Sequence, residues 1–422
     1  MLYDRWRQVA RAGSARIALR DLASGGQWTF EELAAATQKE VWRETPVAFP
    51  QGVRADFIFS VLRAWRFGRV VCPLEPGQEP PCITGQLPAR IVHLKTTSAT
   101  EGTPRLVALT AAQLMADAEN IVTTMGLRAE WPNLGVISLA HSYGFSNLVL
   151  PLLLHGVPLI LAGAPLPEAV RQAAAGERAV TLAAVPALWR TWHDANAIPA
   201  NVHLAISAGA PLPLALERDV FATRALKIHN FYGSSECGGI TYDASAVPRL
   251  DSSCAGAPLR NVACNVAPGG CLEVRSQAVA QTYWPKSNPN LGGGIFRTSD
   301  LAEIIDGLVY LRGRASDQIN VAGRKVSPET IEKVLATHPE VRNSLVFGVP
   351  SPEPERGETI VACAAVKGGA SGETLKQFLM AKLPAWQVPR EWWFVDSLET
   401  NRRGKLSRAD WRKRYMEKTT LG

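Results

Sequence analysis

The sequence predicts a two-domain α/β protein. It has a large N-terminal α/β domain on parallel sheet, extended by a β-rich subdomain, and a small α+β domain at the C-terminus. Three observations carry this. At 422 residues the chain exceeds what one hydrophobic core usually organises. Between about residues 89 and 232, short branched apolar runs alternate with helix-like segments. The texture then changes twice, near Leu250 and near Ala315.

The strand candidates in the alternating region are ARIVHL, RLVALT, VISLA, AVTLAAV, HLAISAG and LKIHNF. Between two of them, Thr110 to Met125 reads as a helix. Thr110 and Gln113 form a capping box, and Leu114, Ala118, Ile121, Val122 and Met125 share one face. The most apolar stretch, Gly144 to Pro165, is broken by Pro151, His155, Gly156 and Pro158. A bilayer span needs about 20 continuous apolar residues, so this stretch reads as a buried helix, a turn at His155-Gly156 and a buried strand, VPLILAG. Leu250 to Tyr310 reads as short β segments separated by Gly and Pro turns. Beyond it, a helix from Pro328 to Thr337 is capped by Ser327. The strands NSLVFGV and TIVACAAV follow, then a helix from Glu373 to Leu383 and the run EWWFV. The boundary is placed to give domains of residues 1–314 and 315–422.

Composition narrows the function classes. Hydrophobic residues make up 46% and charged residues 20%, which is ordinary for a globular protein. A net charge of +7 suits anionic ligands such as nucleotides, but no basic run is dense enough for nucleic acid. The seven cysteines are scattered, without a CxxC pair or clustered histidines, which argues against structural zinc and for free thiols in a reducing cytoplasm. The N-terminal segment MLYDRWRQVARAG lacks the apolar core of a signal peptide.

Four segments carry the chemistry. TTSATEGTPR, Thr96 to Arg105, lies between two strand candidates; backbone N–H groups, hydroxyls and a cation suit polyphosphate, although a plain turn has the same composition. NFYGSSECGG, Asn230 to Gly239, offers Glu236 beside Ser235 for a hard cation such as Mg²⁺, and Tyr232 as a flat face for a base; a surface turn is the alternative. The third segment, Phe296 to Glu332, holds Asp300, an acceptor suited to ribose hydroxyls, and Arg314, a phosphate partner. The fourth, TNRRGKLSR, places Lys405 after a glycine among arginines, where a solvated basic tail is the alternative. No GxSxG nucleophile elbow is present; GSSECGG has the wrong spacing.

In order and spacing these segments resemble the signature blocks of the adenylate-forming (AMP-binding) superfamily. TSATEGTPR is similar to TSGTTGxPK, YGSSE to YGxTE, and TSDL to TGDL. GRASDQINVAGRKVSPETIE is similar to GRxDDQIKxxGxRIxPxEIE, and LETNRRGKLSR to LPRTxxGKxxR. Weaker similarities are QWTFEEL, AHSYGFS, SAGAPLP and GAPLRN, so the resemblance runs from about Trp28 to Arg408. It implies a small mobile C-terminal domain, with ATP bound between the domains. Thr97, Ser98, Thr100, Gly102 and Arg105 would face the phosphates. Tyr232 and Gly233 would lie against adenine, Ser235 and Glu236 would serve phosphate and Mg²⁺, and Asp300 would hold the ribose. Arg314 would lie at the hinge and reach the nucleotide, and the loop around Gly323 would line the thiol passage. Lys325 would be a further cofactor-binding residue, and Lys405 would be the adenylation lysine.

The resemblance thus implies ATP- and Mg²⁺-dependent activation of a small carboxylic acid to an acyl-adenylate. Transfer to the thiol of CoA or of a carrier protein's phosphopantetheine would follow, with no nucleic-acid partner. Amino-acid-activating relatives carry an aspartate in the block that here reads AHSYGFS. Its absence, with His141 resembling the histidine that gates the acyl pocket, points to a fatty or aryl acid. A hydrogen-bonded core histidine is the other reading of His141. Departures from the pattern are Ala99 for glycine, Glu101 for threonine, Ser316 at the hinge position and a shortened N-terminal part. They motivate a second reading: a catalytically impaired relative that binds a nucleotide or acyl group.

Overall fold

The computed structural model describes residues 1–38, 45–83, 85–96, 105–353, 355, 357–399 and 406–420. The chain forms two units. The first comprises Met1–Asn265, Glu273–Arg297 and Ile304–Tyr310; the second comprises Val266–Leu272, Thr298–Glu303 and Leu311–Gly422.

Parallel pairing organises the first unit. Ile228–Ser234, Val202–Ser207, Val180–Ala184, Asn133–Gly135, Leu159–Leu161 and Ile17–Asp21 lie side by side, each parallel to the next. Antiparallel strands extend this sheet on both sides, Gly26–Thr29 at one and Gly238–Tyr242 then Cys254–Pro258 at the other. Strands buried on both faces read as continuous apolar runs, and Val180–Ala184 is buried at every position. A second sheet of five strands runs Thr282–Trp284, Leu106–Thr110, Ile91–Thr96, Val70–Val71, Val47–Ala48.

The helix Ala111–Met125 starts as its sequence dictates: Gln113 N donates to Thr110 Oγ1 at 3.4 Å, and Thr110 N donates to Gln113 Oε1 at 2.8 Å. The apolar stretch forms the short helix Ser142–Gly144, then π-helical turns Phe145–Val149 and Pro151–His155. Gly156, at φ 71°, ends it before the strand Leu159–Leu161. No described helix is long and apolar enough to cross a membrane. VISLA departs from expectation, because the strand is Asn133–Gly135, three residues earlier. Residues 136–140 instead turn toward the helix at Ser142, with Ser138 Oγ donating to Glu75 Oε2 at 2.8 Å.

Leu250 to Tyr310 carries strands and no helix among the described residues; most are short, but Ile295–Ile305 runs to 11 residues, longer than the expected short segments. In the second unit, Val341–Pro350, Glu358–Val366 and Glu391–Phe394 form a three-stranded sheet. Its two faces separate by the strand period. Val346, Ile360 and Ala362 pack with Ile331, Leu335, Leu375 and Leu379. Leu345, Phe347 and Val361 pack with Trp411 on the other side. Ser327 begins the helix Pro328–Leu335, but no helix N–H donates to its side chain; its hydroxyl donates to Arg312 O at 2.8 Å and so ties the helix start to the preceding strand.

Candidate active site

The strand Ile228–Ser234 is set from behind by a buried ionic group. Lys227 Nζ bonds Glu217 and, at 2.6 Å, Asp243 Oδ2; Arg249 Nε bonds Glu217 Oε2 at 3.0 Å. Two cations face two carboxylates, so each buried charge is met. The strand then returns on Gly238–Tyr242, pairing Tyr232 with Thr241 and Ser234 with Gly238, so Ser235, Glu236 and Cys237 form the turn. Gly238 has φ 68°, and a Cβ there would collide with Asp117. Asp117, 1% exposed, accepts from Gly239 N at 3.0 Å and from Ser146 Oγ at 2.6 Å. A buried carboxylate thus clamps the turn to the start of the π-helical segment.

Glu236 is half-buried. Its Oε1 accepts from Tyr283 Oη at 2.9 Å, and its backbone oxygen accepts from Ala280 N at 2.8 Å. Burial first, and then the Glu236 charge and hydrogen bond, push the Tyr283 phenol up, so it stays a donor at working pH. Tyr283 belongs to Thr282–Trp284, which pairs with Leu106–Ala108. Arg105 precedes that strand and lies over the Tyr283 ring, with Cζ 5.8 Å from the centroid. Residues 97–104 connect Thr96 to Arg105, and Thr96 and Leu106 are paired. The glutamate turn and the end of the polyphosphate-type segment are therefore joined through one tyrosine. Thr97, Ser98, Thr100 and Gly102, like Lys405, lie outside the described residues.

Among the described residues, only Tyr283 donates a hydrogen bond to the Glu236 carboxylate. No group of three His, Cys, Asp or Glu side chains there makes a metal cage. One carboxylate suits Mg²⁺ held mainly by phosphate oxygens and water. Cys237 is no nucleophile, since burial pushes its thiol well above the ordinary range. Cys72 is pushed up to about 12 by the same cause, and all seven cysteines are free thiols.

His141 is half-buried and caps the helix Ser142–Gly144, its Nδ1 accepting from Tyr143 N at 3.3 Å. That bond places the ring proton of the neutral form on Nε2. In the second unit, Arg314 Nε bonds Asp300 Oδ1 at 3.0 Å, so this expected nucleotide pair meets side by side. Gly323, φ 79°, and Ala322, φ 50°, turn the hairpin Ile319–Val321/Arg324–Val326, on which Lys325 is exposed. Asp317, beside Ser316, bonds Arg408 at 2.6 Å, and Arg408 also holds Glu332 at 2.9 Å.

Residues 84–284 match the AMP-binding enzyme family, and residues 330–405 match the AMP-binding enzyme C-terminal domain. A probable 2-succinylbenzoate–CoA ligase of Mycobacterium tuberculosis is 30% identical over 340 residues, spanning 77% of this chain and 84% of the relative. The chain belongs to the AMP-binding, adenylate-forming family. A feruloyl-CoA synthase of an Amycolatopsis species is 28% identical to this AMP-binding enzyme, over 76% of the chain and 69% of the relative. The fold matches ATP-bound MatB from Rhodopseudomonas palustris with a TM-score of 0.86 at 19% identity, over 98% of this chain and 99% of that one.

Reading motifs did not find Tyr283 or Asp117. Tyr283 stands 47 residues from the glutamate it orients, and nothing in the run TYW marks it. Asp117 was hidden inside an amphipathic helix. Its one signal was a carboxylate among buried neighbours of that helix.

Proposed function

We infer that this AMP-binding enzyme is an ATP-dependent acid–thiol ligase, which activates a carboxylic acid to its adenylate and passes the acyl group to a thiol. The hydrogen bond from Tyr283 to Glu236 carries the reading, because it ties the YGSSE carboxylate to the ring over which Arg105 lies. Two anions, carboxylate and triphosphate, must approach each other in such a reaction, so the protein's task is positioning and charge neutralisation. Glu236 would hold Mg²⁺, which supplies neutralisation of phosphate charge when bound. Ser235, Thr97, Ser98, Thr100, Gly102 and Arg105 would contact the phosphates, and Tyr232 and Gly233 the base. Asp300 would accept from ribose hydroxyls, with Arg314 steadying it.

The acid is proposed to be an aryl or fatty acid, on the absence of a carboxylate in AHSYGFS and the presence of His141. CoA is the first acceptor to test, with a carrier protein second; Gly323 and Lys325 are assigned to that half-reaction. Residues 315–422 are proposed as the mobile domain and the cytoplasm as the location, where ATP and CoA are available.

Hydroxylamine trapping and ATP–pyrophosphate exchange across a panel of acids test the activity. Lys405→Ala should abolish adenylate formation while largely sparing thioester formation from a supplied acyl-adenylate. Equal loss of both half-reactions in a folded variant would refute the assignment of Lys405. ATP binding by calorimetry with no turnover of any acid would favour the binding-protein reading that Ala99 and Glu101 motivate.

A further inference from the structure

Two polar side chains share one face of the strand Ile91–Thr96: His93 and Lys95, two residues apart and both buried. His93 lies 4.4 Å from the Phe145 ring, and neither of its ring nitrogens has a hydrogen-bond partner among the described residues. Burial, and then the Lys95 charge, hold its pKa well below the ordinary histidine value, so it brings no second cation. Lys95 is 3% exposed, and its Nζ donates to Ser142 Oγ at 3.1 Å. That hydroxyl is half-buried and directly follows His141.

The other buried lysine of the same unit shows what a structural cation looks like here. Lys227 has Glu217, Asp243 and the Ile228 carbonyl for its three donors. Lys95, by contrast, has one neutral acceptor among the described residues. The nearby carboxylates are engaged elsewhere: Asp117 by Ser146 and Gly239, Glu236 by Tyr283. Burial pulls Lys95 below the ordinary lysine value, and Asp117, Cys237 and Glu236 act in the opposite sense. A buried ammonium with spare donors is costly until an anion arrives.

We propose that Lys95 is a carboxylate-binding residue of the acid site, whose ammonium receives the substrate's carboxylate beside Ser142 and the Glu236 turn. The inference rests on the ligase reading and adds a cation that none of the motif blocks supplies. It gives the acid, rather than ATP, a dedicated counter-charge within the unit that holds Glu236. A compact ammonium suits a point where two anions meet.

Lys95→Met, with Lys95→Gln as the variant that keeps a donor without the charge, separates the possibilities. Loss of a charged hydrogen bond should raise the KM for the acid about 10–100-fold in pyrophosphate exchange. The Kd for ATP by calorimetry should stay near the wild-type value. The Tm of Lys95→Met should hold or rise, because an unpaired buried charge has been replaced by an isosteric apolar chain. A falling Tm with ATP affinity lost in parallel would assign Lys95 to structure instead. An active wild type whose variants keep the wild-type acid KM would remove Lys95 alone. A wild type inert with every acid would remove the ligase reading, and this inference with it.

Discussion

Replacing Tyr283 by Phe removes one hydroxyl and leaves the ring under Arg105 in place. The lost contact is a 2.9 Å hydrogen bond to Glu236 Oε1. Hydrogen bonds to charged groups contribute about 1.5–3 kcal/mol. Tyr283 and Glu236 are both half-buried, so water replaces part of the bond and the lower end applies. About 1.5 kcal/mol corresponds to roughly a tenfold fall in kcat/KM. Because the hydroxyl orients the carboxylate proposed to hold Mg²⁺, raised Mg²⁺ should recover part of that loss. The assay is ATP–pyrophosphate exchange at several Mg²⁺ concentrations, with thermal unfolding to confirm an unchanged fold. A variant within about twofold of wild type at every Mg²⁺ concentration would refute the idea that Tyr283 positions Glu236.

Asp300→Ala should weaken nucleotide binding about tenfold by calorimetry while leaving Tm almost unchanged, since an ion pair to a half-exposed arginine contributes only about 0–1 kcal/mol. A large Tm loss would mark Asp300 as structural. Asp243 gives a pH prediction. Burial, its largest influence, raises the pKa, but the Lys227 and Ser245 bonds outweigh it and the net shift is downward. The folded value therefore lies below the unfolded one. The stabilisation is complete above the ordinary aspartate value of about 3.9 and is lost as pH falls through the folded value. Asp243→Asn should cost about 3 kcal/mol at neutral pH, with the gap to wild type closing below about pH 4 in urea unfolding. A gap that persists undiminished in acid would remove the ion pair as its cause.

Local signals carried much of the fold. The capping box at Thr110 and Gln113, the buried runs of the parallel strands and the apolar run in NSLVFGV are each decided within a few residues, so their elements appear where the pattern places them. VISLA was misplaced because an apolar run of five residues does not say where hydrogen-bonded pairing stops. The contact of Ser138 with Glu75, 63 residues away, accompanies the turn that replaces it.

Residue types in motif order also named the family, and they nominated Glu236, Tyr232, Asp300 and Arg314 as candidates for the charges and flat faces that nucleotide chemistry needs. Sequence order holds no information about which distant strand lies alongside. Only the paired strands bring Tyr283 onto Glu236, only the helix Ala111–Met125 carries Asp117 under Gly239, and only the sheet buries Lys95 beside Ser142. Motifs are short because their chemistry is local to a loop, whereas the groups that orient and charge that loop are chosen by packing across the chain.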